Sequence, residues 1–184
     1  QFDNNPLCLG SGECVDSVVV SLPFFHSSTL EESMGDDWSF QNYPHGADYA
    51  YQITLPTQKN LYVDTCDPIT DFDTILSIKD ECGNEVSLTE FDDGTEDFCP
   101  EASVDPPYFA SIIDSITLSA GTYYIVVDGY GGVTGNYKIA IGTLPEIIGS
   151  DIASDDSYLD IYFSEGMYTE ATTSGALVES DFEI

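Results

Sequence analysis

The sequence has very little positive charge. It contains no arginine, and its lysines are Lys59, Lys79 and Lys138, against 34 aspartate and glutamate residues, which gives a formal net charge of −31. Nucleic-acid binding depends on lysine and arginine to displace the counterions of the phosphate backbone, and anionic membrane surfaces repel a chain of this charge. The composition therefore excludes a nucleic-acid partner. It fits an acidic coat that keeps a secreted protein soluble, part of which divalent cations can neutralise.

Long apolar runs are also missing. No stretch approaches the roughly 20 residues that a membrane-spanning helix needs. The chain has no initiator methionine and no signal peptide, so we expect Gln1 to begin a processed, secreted chain. A hydrophobic content of 42%, with 12 Tyr, 10 Phe and 1 Trp, still suffices for a packed core and argues against disorder.

Histidine is scarce, which limits catalytic and zinc chemistry. The two histidines, His26 and His45, lie in the segments FFHSS and YPHGADY, and neither segment is accompanied by a nucleophile elbow. The sequence also lacks a CxxC pair, so no zinc pattern is present. Among 34 acidic residues, no spacing identifies a catalytic carboxylate pair. We expect the protein not to be an enzyme.

The five cysteines favour disulfide bonds in an oxidising, extracellular compartment. They are Cys8, Cys14, Cys66, Cys82 and Cys99, and because the number is odd, one thiol stays free or pairs outside the chain. Our preferred scheme joins Cys8 to Cys14 and Cys66 to Cys99 and leaves Cys82. Sequence alone does not fix this connectivity.

Alternating apolar residues predict β-strands rather than helices. The segment DYAYQITL places Tyr49, Tyr51, Ile53 and Leu55 on one face, and GNYKIAIG repeats the pattern. Clusters such as LPTQKN, DPITD and VDPPY, rich in turn-forming residues, separate the strands. We predict an all-β fold, an antiparallel β-sandwich or jelly roll.

A boundary is predicted in IGTLPEIIG, near Pro145. Residues 1–143 then form one β-domain, and residues 144–184 form a short β extension or an incomplete further module. The second segment holds about two clear strands, which are too few to bury a core alone. Its apolar residues must therefore pack on its own first domain, belong to a longer repeat, or pair with a neighbouring subunit as a donated strand.

Acidic residues at strand ends and in loops suggest calcium. Calcium binds six to eight oxygen ligands, which loops dense in Asp and Gly can supply from several segments. The candidate ligands are Asp71, Asp73, Asp92, Asp93 and Asp128. None matches an EF-hand loop, so the site would be discontinuous. The alternative is that these residues cap turns with their own side chains.

Two aromatic residues outside the alternating strands suggest a sugar-binding surface. Trp38 in GDDWSF and Tyr130 in DGYGG are the candidates for stacking on a polysaccharide. The alternative for Trp38 is a packing role at the end of the sandwich.

Four segments in order resemble a known family. They are YQITLPTQKNLYVDTC, FDTILSIKDECG, FDDGTEDFC and SITLSAGTYYIVVDGYGGVTGNYKIAI, and together they are similar to the pre-peptidase C-terminal domain and related CUB-like β-sandwiches of secreted bacterial proteins. The resemblance covers about residues 12–143. It implies an accessory β-sandwich domain that is not itself catalytic. The tail LDIYFSEGMYTEATTSGALVESDF separately resembles the opening of Ig-like repeats in large extracellular adhesins.

Two functions follow from the sequence. The first is a non-catalytic extracellular structural or adhesive module, stabilised by calcium and self-associating through its C-terminal strands. The second is a carbohydrate- or substrate-binding accessory domain of a secreted hydrolase.

Overall fold

The computed structural model describes residues 15–44, 46–80, 88–92, 109–144, 147–152 and 159–163. The chain divides into two compact units, residues 1–143 and 144–184. The described residues are organised as β-strands, with two short 3-10 turns at Glu32–Met34 and Tyr130–Gly132. The predicted all-β fold class is confirmed.

The first unit contains two β-sheets. Its strands are β1 (Ser17–Val19), β2 (Phe24–Leu30), β3 (Asp48–Leu55), β4 (Lys59–Asp64), β5 (Thr74–Lys79), β6 (Thr89–Phe91), β7 (Ile112–Leu118), β8 (Gly121–Gly129) and β9 (Gly135–Thr143). One sheet has the order β1-β3-β8-β5-β6 and the other the order β2-β9-β4-β7. The strand pairs are antiparallel except that β1 runs parallel to β3.

The main core lies between the inner faces of these sheets. Tyr51, Leu76 and Ile125 of the five-stranded sheet and Leu61 and Ile139 of the four-stranded sheet are buried in one apolar cluster. Alternation along each strand directs these side chains inward, and each such burial contributes roughly 1.5–3 kcal/mol. The alternation predicted for DYAYQITL is present in β3, where Tyr51, Ile53 and Leu55 are buried.

A second apolar cluster covers the outer face of the five-stranded sheet. Ala50, Ile75 and Val126 belong to neighbouring strands, and Trp38 and Phe40 pack against them. Trp38 and Phe40 lie in the connection between β2 and β3. We call residues 35–44 the strap, because this connection is held against the outer face of the sheet.

Three side chains of the sheet hold the strap by hydrogen bonds. Asp48 of β3 accepts hydrogen bonds from backbone N–H groups in the N-terminal part of the strap. Lys79 of β5 donates from Nζ to the carbonyl oxygen of Ser39 at 2.6 Å. Glu90 of β6 accepts from the backbone N–H groups of Gln41 and Asn42 at 2.8 and 3.0 Å. The strap therefore has a defined position although it is a loop.

The second unit has two described strands, β10 (Ile147–Ile152) and β11 (Leu159–Phe163). They pair antiparallel, with Asp151 opposite Asp160 and Ser150 opposite Ile161. No helix in the described part of the chain is long and apolar enough to cross a membrane.

Candidate metal centre

Three carboxylates approach one another at one end of the five-stranded sheet. Asp48, the first residue of β3, lies directly opposite Asp128 near the end of β8. Asp36 comes from the strap. One ligand oxygen from each of the three residues lies within 4.8 Å of the others, and Asp48 and Asp128 are buried whereas Asp36 is exposed. This is the one such group of three among the residues that the structure describes.

Backbone N–H groups hold the two buried carboxylates in place. Oδ2 of Asp48 accepts from the N–H groups of Asp37 and Trp38 at 2.8 and 2.7 Å. Oδ1 of Asp128 accepts from those of Gly46 and Gly129 at 2.9 and 2.5 Å. The remaining oxygen of Asp128, Oδ2, is buried and has no hydrogen-bond partner. A buried polar atom without a partner is costly, and in a native protein it calls for an explanation.

Close backbone packing brings Gly46 to this site. A Cβ atom at Gly46 would lie 2.5 Å from the Cα atom of Gly132, a separation that side chains do not tolerate. In the same region the N–H of Gly131 donates to the carbonyl oxygen of Pro44 at 2.8 Å. The glycine in the segment HGAD thus allows the β2–β3 connection to approach the β8–β9 turn, and its N–H reaches Asp128.

Burial and mutual repulsion raise the pKa values of both buried carboxyls. The pKa of Asp48 rises from 3.8 to about 7, chiefly through desolvation, with smaller contributions from the negative charges of Asp37 and Asp36. The pKa of Asp128 rises to about 8, chiefly through desolvation and then through the charge of Asp48. In each case the backbone N–H donors act in the opposite direction. The pair therefore needs protons or a cation near neutral pH.

The donor set suits a hard cation. All three side chains offer carboxylate oxygens, and calcium and magnesium prefer oxygen ligands, whereas softer metals prefer imidazole or thiolate. Two carboxylates are positioned by their own hydrogen bonds, and the third is on the strap. A divalent ion bound here would contact all three and would offset two of up to three negative charges.

The predicted calcium ligands are distributed over different surroundings. Asp128 belongs to the three-carboxylate group, but Asp71, Asp73 and Asp92 do not. The two oxygens of Asp71 accept from the backbone N–H and the Nδ2 of Asn136 at 2.7 and 2.8 Å. Asp71 thus ties its loop to β9 across 65 residues of sequence, which is not the local turn cap given as the alternative.

The other predicted ligands lie elsewhere or outside the described residues. The carbonyl oxygen of Asp73 accepts from the N–H of Tyr130. Asp92 lines a shallow surface pocket with Tyr43, Glu90 and Phe91. Asp93 lies outside the described residues.

Sequence reasoning missed Asp36 and Asp48. The sequence carries a usable signal for Asp48, because the predicted strand DYAYQITL begins with an acidic residue and the apolar run YYIVV is followed by one. Antiparallel pairing of these two strands brings the two ends together. The pairing itself was not predicted, so the connection was not made. Nothing in the local sequence distinguishes Asp36 from its acidic neighbour Asp37.

The predicted aromatic ligand-binding residues differ in exposure. Trp38 is only 2% exposed, so the prediction that its ring forms a sugar platform is wrong. The centroid of the Trp38 ring lies 5.3 Å from that of the Tyr124 ring, and the backbone N–H of Trp38 donates to Asp48. Trp38 therefore has a packing role, but on the outer face of the five-stranded sheet and not at the end of the sandwich as the alternative had it. Tyr130 is 41% exposed on the turn between β8 and β9.

One predicted disulfide residue is described. Cys66 is disulfide-bonded. Cys8, Cys14, Cys82 and Cys99 lie outside the described residues, so the proposed connectivity stays a prediction.

Comparison with known proteins yields a structural similarity. No family model matches the chain, and no curated protein matches it. A solved structure, the pre-peptidase C-terminal domain of a collagenase from Bacillus anthracis, is similar over 69% of this chain and 95% of its own length, with 12% sequence identity and a TM-score of 0.45. The strands and sheets described above, taken together, make the first unit a β-sandwich.

Proposed function

We propose that the chain is a non-catalytic β-sandwich module of an extracellular protein, and that a calcium ion bound by Asp36, Asp48 and Asp128 stabilises its fold. The observation that carries the proposal is Oδ2 of Asp128, a buried carboxylate oxygen without a hydrogen-bond partner. It belongs to a carboxylate that faces a second buried carboxylate across a β-ladder. A cation provides the missing partner and removes the repulsion between the two groups.

Calcium fits this group better than magnesium. Magnesium requires near-octahedral geometry and usually keeps several waters, whereas calcium accepts six to eight oxygens in irregular arrangements. The two buried carboxylates are fixed on the sheet, and the exposed Asp36 offers an adjustable third ligand. Backbone carbonyl groups and water would complete the shell. Extracellular modules bind calcium with dissociation constants of about 10⁻⁴–10⁻³ M, which extracellular calcium suffices to fill.

The arrangement of the carboxylates favours binding over catalysis. The buried oxygens that form hydrogen bonds accept from backbone N–H groups, which fixes their position. Such groups stabilise negative charge in a permanent structural setting. A role as an accessory domain of a secreted protein is further supported by the order of motifs that resembles the pre-peptidase C-terminal domain.

The calcium proposal is tested by thermal unfolding of the full chain. The protein is dialysed against chelator and then melted alone, with CaCl₂, with MgCl₂, and with NaCl of the same ionic strength. We expect a saturable increase in Tm with CaCl₂, equivalent to about 2.7 kcal/mol at a concentration 100 times the dissociation constant. An equal shift with NaCl would reflect charge screening alone and would refute the calcium site.

A further inference from the structure

The outer face of the four-stranded sheet is rich in uncharged polar side chains, beside Asp64 of β4 and Lys138 of β9. It carries a set of hydroxyl and amide side chains from all four strands, namely Ser27, Thr29, Asn60, Ser115, Thr117 and Asn136. Several are already joined: Thr29 donates to Oδ1 of Asn136 at 2.8 Å, and Ser115 donates to Oδ1 of Asn60 at 2.9 Å. These bonds orient the amide groups. We call this surface the glycan face for the reason argued below.

Tyr62 forms an aromatic surface on this face. It lies opposite Gly142 in the pairing of β4 with β9. A Cβ atom at Gly142 would lie 2.3 Å from Cε1, 2.5 Å from Cζ and 2.7 Å from the hydroxyl oxygen of Tyr62. The far end of the ring therefore occupies the space that any other residue at position 142 would fill. Gly142 allows the ring to lie across β9 instead of standing away from the sheet.

Phe25 is the second aromatic residue on the same face. It is 57% exposed, although a phenyl ring gains nothing from contact with water. Its partner on β9 is Ala140, and Ala140 is also paired with Asp64 of β4. Neighbouring strands are about 4.8 Å apart, so β2 and β4 are about 10 Å apart on either side of β9. Phe25 therefore lies beside Ala140, two residues along β9 from Gly142, over which the Tyr62 ring lies.

We propose that the glycan face binds an uncharged polysaccharide, with sugar rings stacked on Phe25 and Tyr62. The C–H faces of pyranose rings pack on aromatic surfaces, and their hydroxyl groups exchange hydrogen bonds with amide and hydroxyl side chains. A flat face suits an extended chain better than a small molecule. The partner is uncharged because the net charge of −31 repels acidic polysaccharides, and because Lys138, the cation on this face, is paired with Asp67 at 2.6 Å.

The inference is independent of the calcium site, since it rests on the other sheet. It is tested by affinity electrophoresis of the full chain in native gels that contain hydroxyethylcellulose, glucomannan or alginate. We expect retardation in at least one of the two uncharged polysaccharides and none in alginate. Binding should weaken about tenfold or more in Phe25→Ala, and further in the double variant that also carries Tyr62→Ala; tenfold corresponds to about 1.4 kcal/mol.

Two further variants make the test specific. Gly142→Ala retains both aromatic residues but displaces the Tyr62 ring, so it should also reduce binding. Phe91→Ala removes a ring that is 44% exposed on β6 of the other sheet, and it should bind as wild type does. Because Phe25 is already mostly exposed, Phe25→Ala is expected to remain folded even if the double variant does not. Absence of wild-type retardation in both uncharged gels, retardation by alginate, or unchanged binding by Phe25→Ala would overturn the proposal.

Discussion

Asp48 and Asp128 face each other across the antiparallel ladder between β3 and β8, and both carboxylates are buried. Two charges of the same sign that face each other on neighbouring strands destabilise a sheet, and burial increases that cost. The two carboxylates nevertheless hold neighbouring segments in place by hydrogen bonds, because Asp48 holds the strap and Asp128 holds Gly46. The repulsive pair is therefore part of the connection between β2 and β3. A cation would stabilise both the ladder end and the strap.

Replacing Asp128 by Asn should separate the effect of calcium binding from the effect of the repulsion between Asp48 and Asp128. The amide has the same size but lacks the charge, so the calcium-dependent increase in Tm should be lost. In chelator at pH 8, the variant should be at least as stable as wild type, because the repulsion with Asp48 is gone. Asp114→Asn is the matched control, since Asp114 is exposed on β7. If Asp128→Asn retains the full calcium response, the ion is bound elsewhere.

The metal-free protein should lose stability as pH rises. The pKa values of Asp48 and Asp128 in the folded protein, about 7 and about 8, are above the ordinary value of 3.8. A raised pKa means that the folded state holds the proton more tightly than the unfolded state. The stability from these protons is complete below pH 3.8 and is lost as pH rises through about 7 to 8.

Urea unfolding of the chelated protein at pH 5.5 and at pH 8.5, conditions that bracket these pKa values, measures this loss. We expect a lower free energy of unfolding at the higher pH. With saturating calcium the difference should shrink or reverse, since the ion replaces the protons. A chelated protein that is more stable at pH 8.5 would contradict the charge arrangement of the Asp48–Asp128 pair.

The sequence predicted the fold better than the site. Alternation identified β3 and β9 directly, because each strand has one face in the core. The metal candidates rest on the local density of Asp and Gly, which indicates turns as well as ligands. Asp71 does neither, because its carboxylate accepts from Asn136, 65 residues away on β9. The three carboxylates instead depend on strand register and on the path of the strap. Those are properties of tertiary packing, so no local window contains them.

Trp38 illustrates the same limit. Its loop position and polar neighbours suggested exposure, yet the ring is buried with Ala50, Ile75 and Val126. Strand β5 buries both of its faces, since all six of its residues are buried, and the run Ile125, Val126 and Val127 of β8 is buried on both faces as well. A strand that is apolar on both faces indicates that something covers its outer side. This signal in the run YYIVV of β8 could have predicted a covering segment, although not which one.

A buried hydroxyl network in the core should contribute measurably to stability. The hydroxyl of Tyr51 lies 2.8 Å from Nδ1 of His26 and 2.7 Å from the hydroxyl of Tyr137, and the Tyr51 side chain is fully buried. Tyr51→Phe removes the shared group and leaves two polar partners in the core. We expect a loss of about 1–3 kcal/mol in the free energy of unfolding. Tyr130→Phe, at a side chain that is 41% exposed, should change the free energy of unfolding by less than about 0.5 kcal/mol.

The same pair of variants shows whether Tyr51 stabilises the protein through the hydrogen bonds of its hydroxyl or only through the packing of its ring. Both changes remove one hydroxyl from a tyrosine and keep the ring. If Tyr51→Phe is as stable as Tyr130→Phe, the His26–Tyr51–Tyr137 contacts contribute no net stability.

The C-terminal strands provide the last prediction, which concerns self-association. Strands β10 and β11 form a two-stranded hairpin, and Ile161 and Tyr162 of β11 are 38% and 47% exposed. A two-stranded hairpin is marginally stable alone, and exposed strand edges pair readily with other chains. We therefore expect the full chain to self-associate in calcium through these strands, as measured by sedimentation velocity over a range of concentrations.

Truncation after Thr143 should abolish this association without unfolding the first unit, because both sheets of the sandwich lie within residues 1–143. A milder variant, Ile161→Thr with Tyr162→Thr, keeps the hairpin length and residues suited to strands while it removes two exposed apolar side chains. It should weaken association in proportion to the apolar surface lost. If the full chain is monomeric at high concentration with calcium present, strand donation is refuted, and the hairpin must gain its stability within its own chain.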